Sequence, residues 1–264
     1  MTKRMRRTHN LELALTIKND DFIRPPRDSQ RTWHLNRVVT EAVNELDHLH
    51  TVAPTFVRGA DDGALQGDRT QGALTDDDIM EDWQIPVMQA MAAQLTKSSG
   101  DILEIGFGRG IGSDFLQAGN IRSHTIIECN DDVVARFHRW KETKGSADIR
   151  LHHGMWQDVL PSLGAFDGIF FHTYPLNPEE YVEQVVRSST FAEHFFDAAA
   201  AHLKTGGTFT YLTNEADSIS RAHQRALLSR FREVRMSVLP DLPIPEDTRD
   251  AMWLKQMIIM AAVK

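Results

Sequence analysis

Residues 101–112 read DILEIGFGRGIG. Five residues rich in isoleucine and leucine run straight into glycines at 106, 108, 110 and 112. A short apolar run bounded by glycine predicts a buried strand that ends in a tight turn, and bare backbone at such a turn lets a ligand approach closely. A helix over 111–118 is expected to follow. The dinucleotide pattern G-x-G-x-x-G would need glycine at 111, where the chain has Ile111. Moving outward, 123–129 (SHTIIEC) reads as a second strand, and Asn130–Asp131 as the cap of a helix over 131–143. Further strands are expected at 148–152, 166–172, 207–213, 234–240 and 254–263, with helices at 79–96, 178–187, 191–203 and 218–231. Short strands alternating with helices predict an α/β fold, a parallel sheet covered on both faces. The last two strands lack a helix between them and should form an antiparallel pair at the sheet edge.

The chain has 264 residues, 41% hydrophobic and 25% charged, which is enough to bury a sizeable core without staples. Its one cysteine, Cys129, excludes an intrachain disulfide framework and a cysteine-rich zinc site. A net charge of −8 argues against a nucleic-acid partner, and Lys3, Arg4, Arg6 and Arg7 read as a solubilising tail. No apolar run reaches the roughly 18–20 residues of a membrane span, and the first thirty residues lack the apolar core of a secretory signal. The expectation is a cytoplasmic protein with no membrane partner. No metal site is expected: His152–His153 diverge along a strand, and His48 and His50 do not share a helix face.

Composition divides the chain near residue 75. Over 32–50, Trp33, Leu35, Val38, Val39, Ala42, Val43, Leu46 and Leu49 recur at helical spacing. Residues 58–78 carry four glycines and six aspartates and read as a hinge or loop. Residues 1–75 are therefore assigned as an N-terminal helical extension, serving as a lid or a homodimer contact, and 76–264 as the main domain.

Several side chains fall where ligands bind in an open parallel sheet, outside the carboxyl ends of the strands. Glu128 lies 22 residues after Gly106, at the end of the second strand, placed to accept from both hydroxyls of a ribose. Glu104 opens the glycine turn and could hold water or the amino end of a methionine moiety. A nicotinamide dinucleotide and S-adenosylmethionine both remain open, with Ile111 and Glu104 favouring the second. In GMWQDVL, Met155 or Trp156 would pack on an adenine, with Asp158 opening a helix. His172, in FHTYP after the fourth strand, is singled out from 12 histidines by its position, as a base or a director of a lone pair. LKTGG (203–207) reads as a structural turn before the fifth strand.

IMEDWQIPVM (79–88), ILEIGFG (102–108), IIECND (126–131), GMWQDV (154–159), FDGIFFHTYPL (166–176), LKTGGTFTY (203–211) and QMI (256–258) together resemble guanidinoacetate N-methyltransferase and its relatives. The resemblance implies a class I methyltransferase fold, a Rossmann-like seven-stranded sheet of order 3-2-1-4-5-7-6, and S-adenosyl-L-methionine as cofactor. It implies that Gly106 and Gly108 face the methionine moiety beside Glu104, and that Glu128, with Cys129 and Asn130, holds the ribose. Met155, Trp156 and Gln157 would frame the adenine, and Met80 and Trp83 would lie near the cofactor under a lid. The family grips a guanidinium with two carboxylates, and this chain has Gln84 and His172 in their places. Glu81, Asp82 and Glu215 are the candidates for a displaced carboxylate. The reading is a methyltransferase for a small-molecule nitrogen acceptor distinct from guanidinoacetate, with His172 as base and Gln84, Thr173 and Tyr174 as positioners. Carboxyl or hydroxyl O-methylation of an acidic acceptor, and a non-catalytic cofactor-binding protein, are the competing readings.

Overall fold

The computed structural model describes residue 69 and residues 72–97, 100–144, 147–246, 248 and 252–264. The amphipathic segment 32–50 and most of the extension 1–75 lie outside the described residues. In chain order the elements are α1 (Asp76–Ile79), a 3-10 turn (Asp82–Gln84), α2 (Ile85–Leu95), β1 (Asp101–Ile105), α3 (Ile111–Gln117), β2 (Ser123–Glu128) and α4 (Asp131–Glu142). They continue with β3 (Ile149–His153), α5 (Trp156–Val159), β4 (Phe166–Phe171), α6 (Pro178–Tyr181), α7 (Phe196–His202), β5 (Leu203–Thr213), α8 (Arg221–Leu228), β6 (Glu233–Leu239) and β7 (Met257–Val263).

The seven strands form one sheet of order β3-β2-β1-β4-β5-β7-β6. The first five pair in parallel, and β7 runs antiparallel to both β5 and β6. The expected class I methyltransferase order and the antiparallel edge are both present. Buried strands of this kind read as continuous apolar runs, because helices cover both faces; all seven residues of β7 are buried. On one face Leu103, Ile105, Ile169, Phe171, Phe209 and Tyr211 pack against Phe195, Phe196 and Leu227. On the other, Ile102 and Phe170 pack against Val87, Met88, Met91 and Leu95. Those α2 residues recur at helical spacing and form a single apolar stripe.

Three expected boundaries differ. The helix expected over 79–96 is broken: Met80 is extended, with φ −168° and ψ 129°, and α2 begins only at Ile85. Pro86 sits in the first turn of α2, where its missing N–H has no intrahelical partner to lose. The helix expected over 178–187 is α6 followed by a single π-helical stretch, Val182–Val186. LKTGG is not a turn ahead of the strand but its first part, with Gly206 at φ +80°. Lys204 is drawn there by Asp101 and Asp167, at 2.9 and 2.8 Å.

The order reverses at β1, which lies between β2 and β4. Ile105 pairs with Ile127 on one side and Phe171 on the other. The residues just beyond, Gly106, Glu128 and His172, therefore meet at one end of the sheet, at the switch point where such folds bind ligands.

Candidate functional site

A cavity of about 360 Å³ opens at this switch point. Its floor is the glycine turn after β1. Gly106 has φ +85°, and a Cβ there would lie 2.7 Å from the carbonyl oxygen of His172. Only glycine lets the β1 and β4 ends approach this closely.

The β2 side is built around Glu128, which is buried. One carboxylate oxygen accepts from the N–H of Phe107 at 2.9 Å and of Gly108 at 3.5 Å. The other accepts from the N–H of Cys129 at 2.8 Å and Asn130 at 2.9 Å. Four backbone donors thus occupy the lone-pair directions of both carboxylate oxygens and fix the group at the cavity wall. The neighbouring Cys129 thiol is pushed up to about 12 by burial and by the Glu128 charge, so it stays protonated. Glu104, also buried, accepts from the Ser113 hydroxyl, and His124 Nε2 lies 2.9 Å from the same carboxylate. The Gln117 side chain reaches the other ring nitrogen of His124 at 3.0 Å. Asn130 uses its side chain elsewhere than expected. Its oxygen caps α4 by accepting from Asp132 and Val133, and its amide donates to the carbonyls of Arg69 and Gly72 at 2.7 and 2.9 Å.

Those last bonds anchor a strap. Arg69 donates its N–H to the Leu176 carbonyl at 3.1 Å, and its guanidinium lies 5.0 Å from the centre of the Tyr174 ring. Arg136 pairs with Asp76 and donates to the Leu74 carbonyl at 3.1 Å. Arg109 donates to the Met80 carbonyl at 2.7 Å and pairs with Asp82 at 2.8 Å. Leu74, Ile79 and Met80 are thereby brought into the cavity wall.

The β4 side is different in chemistry. His172, Thr173, Tyr174 and Gln84 all line the cavity there. His172 is half-buried, and the apolar groups around it push its pKa down to about 4. The imidazole is neutral at pH 7 because the packed surroundings disfavour its charged form. Trp83 and Trp253 meet edge to face, 5.0 Å between centroids at 87°, and the Trp253 ring is 6.2 Å from that of His172.

The cavity wall includes every expected site residue: Met80, Trp83, Gln84, Glu104, Gly106, Gly108, Glu128, Cys129, Asn130, Met155, Trp156, Gln157, His172, Thr173 and Tyr174. Trp156 also packs on Phe195, 4.9 Å between centroids. Asp158 is exposed and lies outside the wall. Among the candidates for a displaced carboxylate, Glu215 is buried against His223 and the Ser220 N–H, outside the cavity, and Asp82 faces Arg109. Glu81 lines the cavity but accepts from the Trp83 indole at 2.8 Å. Sequence reasoning passed over Arg69, Arg109, Glu180, Met252 and Trp253. The basic residues carried no motif, and Trp253 sits in the connection between β6 and β7, where nothing local announces a ligand.

The donor set fits S-adenosylmethionine. The cradle at Gly106 leaves room for backbone-close binding, and Glu128 stands as a fixed carboxylate at the adjacent end of β2.

The chain matches the family guanidinoacetate N-methyltransferase over residues 60–247. Among curated relatives, protein arginine N-methyltransferase 2 of Emericella nidulans is 31% identical over 193 residues, covering 67% of this chain and 42% of that protein. Its namesake in Aspergillus fumigatus is 32% identical over 152 residues, covering 54% of this chain and 33% of that one. The chain thus spans less than half the length of these relatives. Among solved structures, the N-methyltransferase NodS from Bradyrhizobium japonicum, in complex with S-adenosyl-L-homocysteine, aligns with a TM-score of 0.48 at 14% identity, covering 70% of this chain and 89% of that one. An O-methyltransferase from Bacillus cereus aligns with a TM-score of 0.45 at 15% identity, covering 88% and 97%.

Proposed function

The chain belongs to the guanidinoacetate N-methyltransferase family, whose cofactor is S-adenosylmethionine, and from that premise we propose that it methylates an uncharged nitrogen of a small-molecule acceptor. The observation that carries this reading is the chemistry of the β4 end. Where the family resemblance implies two carboxylates, the wall has Gln84 and a histidine with a pKa of about 4. Most carboxylates of the surrounding wall are turned to the protein, Asp78 among them through Thr75, while Asp77 is exposed on α1. Glu128 faces backbone amides, Glu104 faces Ser113 and His124, Glu81 holds the Trp83 indole, and Glu180 accepts the Leu176 N–H at 3.0 Å. A desolvated guanidinium needs bidentate anionic partners, and removing one partner of a buried ion pair costs about 3–5 kcal/mol.

When bound, the cofactor supplies a methyl carbon already activated by a sulfonium. The protein's work is then alignment and the exclusion of water, effects that reach effective molarities of about 10⁵–10⁸ M. Glu128 and the glycine turn hold the nucleoside end. Gln84 and Thr173 orient the acceptor, and His172 accepts a hydrogen bond that turns the nitrogen lone pair toward the methyl group. The strap over 72–80 supports a small acceptor, since it forms part of the cavity wall. A neutral His172 gives no cation for an acidic acceptor, and the two guanidiniums of the wall are engaged by the protein, Arg69 by the Tyr174 ring and the Asp78 carbonyl and Arg109 by Asp82 and the Met80 carbonyl, which favours the neutral acceptor over O-methylation of a carboxylate. The curated relatives are named for protein arginine, whose guanidinium would meet the same uncharged end.

Transfer from methyl-labelled cofactor to a panel of acceptors tests the reading. Neutral nitrogen compounds should be methylated, and guanidinoacetate and an arginine peptide left untouched. The double variant Gln84→Glu, His172→Asp should gain activity on guanidinoacetate. Efficient methylation of either guanidino compound by the unmodified protein would overturn the proposal.

A further inference from the structure

We infer that the acceptor is a planar nitrogen heteroaromatic of the imidazole or pyridine kind, and that Trp253 selects it. This rests on the neutral-acceptor reading and narrows it.

Two independent lines lead here. The first is protonation. An aliphatic amine is a cation at pH 7, with a pKa near that of lysine, about 10.4. It would bring a charge into an end of the cavity whose carboxylates are already committed, and its lone pair would be occupied by a proton. An imidazole- or pyridine-type nitrogen is largely uncharged at pH 7 and carries its lone pair in the ring plane. Gln84 offers an amide donor and acceptor, and neutral His172 offers one of each, which matches a ring N–H and a ring nitrogen.

The second line is shape. The connection between β6 and β7 sends Thr248, Met252 and Trp253 to the same wall as His172 and Gln84. Trp253 is only 6% exposed, and its edge-to-face contact with Trp83 fixes the orientation of its ring. The ring planes of Trp253 and His172 are inclined at 47°. Met88 and Met252 complete the wall with polarizable thioethers, which favour contact with aromatic rings. A flat ring against Trp253 gains what a saturated amine of equal size does not, about 0.5–1.5 kcal/mol beyond area burial for an aromatic pair.

In the reaction the in-plane lone pair of the ring nitrogen forms the new N–C bond. The C–S bond breaks, and its electron pair stays on sulfur, which becomes a neutral thioether. The methylated ring is cationic; an imidazole-type ring then passes its second N–H proton to solvent and becomes neutral, while a pyridine-type ring leaves as the cation.

The test is calorimetric binding to the full chain in the presence of S-adenosylhomocysteine, with benzimidazole, cyclohexylamine and guanidinoacetate as probes, backed by labelled methyl transfer. Benzimidazole should bind at least tenfold more tightly than cyclohexylamine. Trp253→Leu should lose at least tenfold for benzimidazole, and Trp253→Phe should keep most of it, with the dissociation constant for S-adenosylhomocysteine unchanged in both. Equal binding of benzimidazole and cyclohexylamine overturns the inference, as does a folded Trp253→Leu protein with undiminished benzimidazole affinity. If Trp253→Leu does not fold, the probe series and Trp253→Phe still decide. Methylation of neutral non-aromatic nitrogens as readily as of heteroaromatics would sink this inference and leave the neutral-acceptor reading standing. Preference for guanidinoacetate would sink both.

Discussion

The β2 and β4 ends of the same sheet lie one strand apart and solve opposite problems. At the β2 end a full negative charge, Glu128, is held by four backbone N–H groups. At the β4 end Gln84, His172 and Thr173 are uncharged and stand beside the Trp83 and Trp253 rings, with the Arg69 guanidinium set over Tyr174. The contrast follows from what surrounds each position. The glycine turn and the start of α4 leave free amides that must be satisfied, and a carboxylate satisfies several at once. Around His172 the packing of side chains makes any charge expensive, so the site keeps its histidine neutral.

Three measurements would break or sharpen that contrast. The largest effect is expected at Glu128. Glu128→Ala should weaken cofactor binding by about 10²–10⁴-fold, as hydrogen bonds to a charged group contribute about 1.5–3 kcal/mol each. Glu128→Gln should rescue little, because its amide would set N–H against N–H. Calorimetry with S-adenosylhomocysteine gives both numbers, and near-normal affinity in either variant would show that the β2 end is not the anchor.

Next is His172. His172→Ala should lower turnover by about 10-fold, the loss of one orienting hydrogen bond, with cofactor affinity unchanged. The pH dependence carries the sharper signature. Because the folded pKa lies near 4, the His172 ring of the unmodified protein, followed by NMR, should stay uncharged as pH falls through 6.5 and titrate only near pH 4. Stability follows the same sign. Between pH 6.5 and 4 the unfolded chain binds a proton at this residue that the folded one refuses, so stability is present above this window and falls as pH drops through it. Below it, Asp101 and Asp167, held low chiefly by Arg122 and Lys204, lose their contribution in turn. A His172 ring that titrates at pH 6.5 would mean a histidine in an ordinary polar setting.

The smallest effect concerns the strap. Asn130→Asp keeps the cap of α4 but loses both donors to Arg69 and Gly72, and should raise the cofactor dissociation constant about 3- to 10-fold at little cost in Tm. Asn130→Ala should also lose about 0.5–2 kcal/mol of stability with the cap. Equal Tm in the two variants would remove the cap from the account.

Much of the site was legible because strand ends are written locally. The DILEI run followed by glycine, and the IIEC run followed by Asn130 and Asp131, mark where β1 and β2 stop, and the residues just past them had to face the switch point. His172 followed from the same rule applied to β4. The break at Met80 was not legible, since helical spacing continues through 79–96 and the extended residue is held by Arg109 from a distant loop. Nor was the fate of Glu215, whose carboxylate is claimed by His223 across the turn into α8. Asn130 was half read: its capping role is local, while its grip on Arg69 and Gly72 spans some sixty residues.

The order of elements, the parallel sheet with its antiparallel edge, and the place of Glu128 at the end of β2 were determined by the sequence alone, because apolar periodicity and glycine act over a few residues. The charge of His172, the engagement of each carboxylate and the place of Trp253 in the wall were decided only by the tertiary structure. Those properties depend on desolvation and on contacts between segments far apart in the chain, and no local pattern records them.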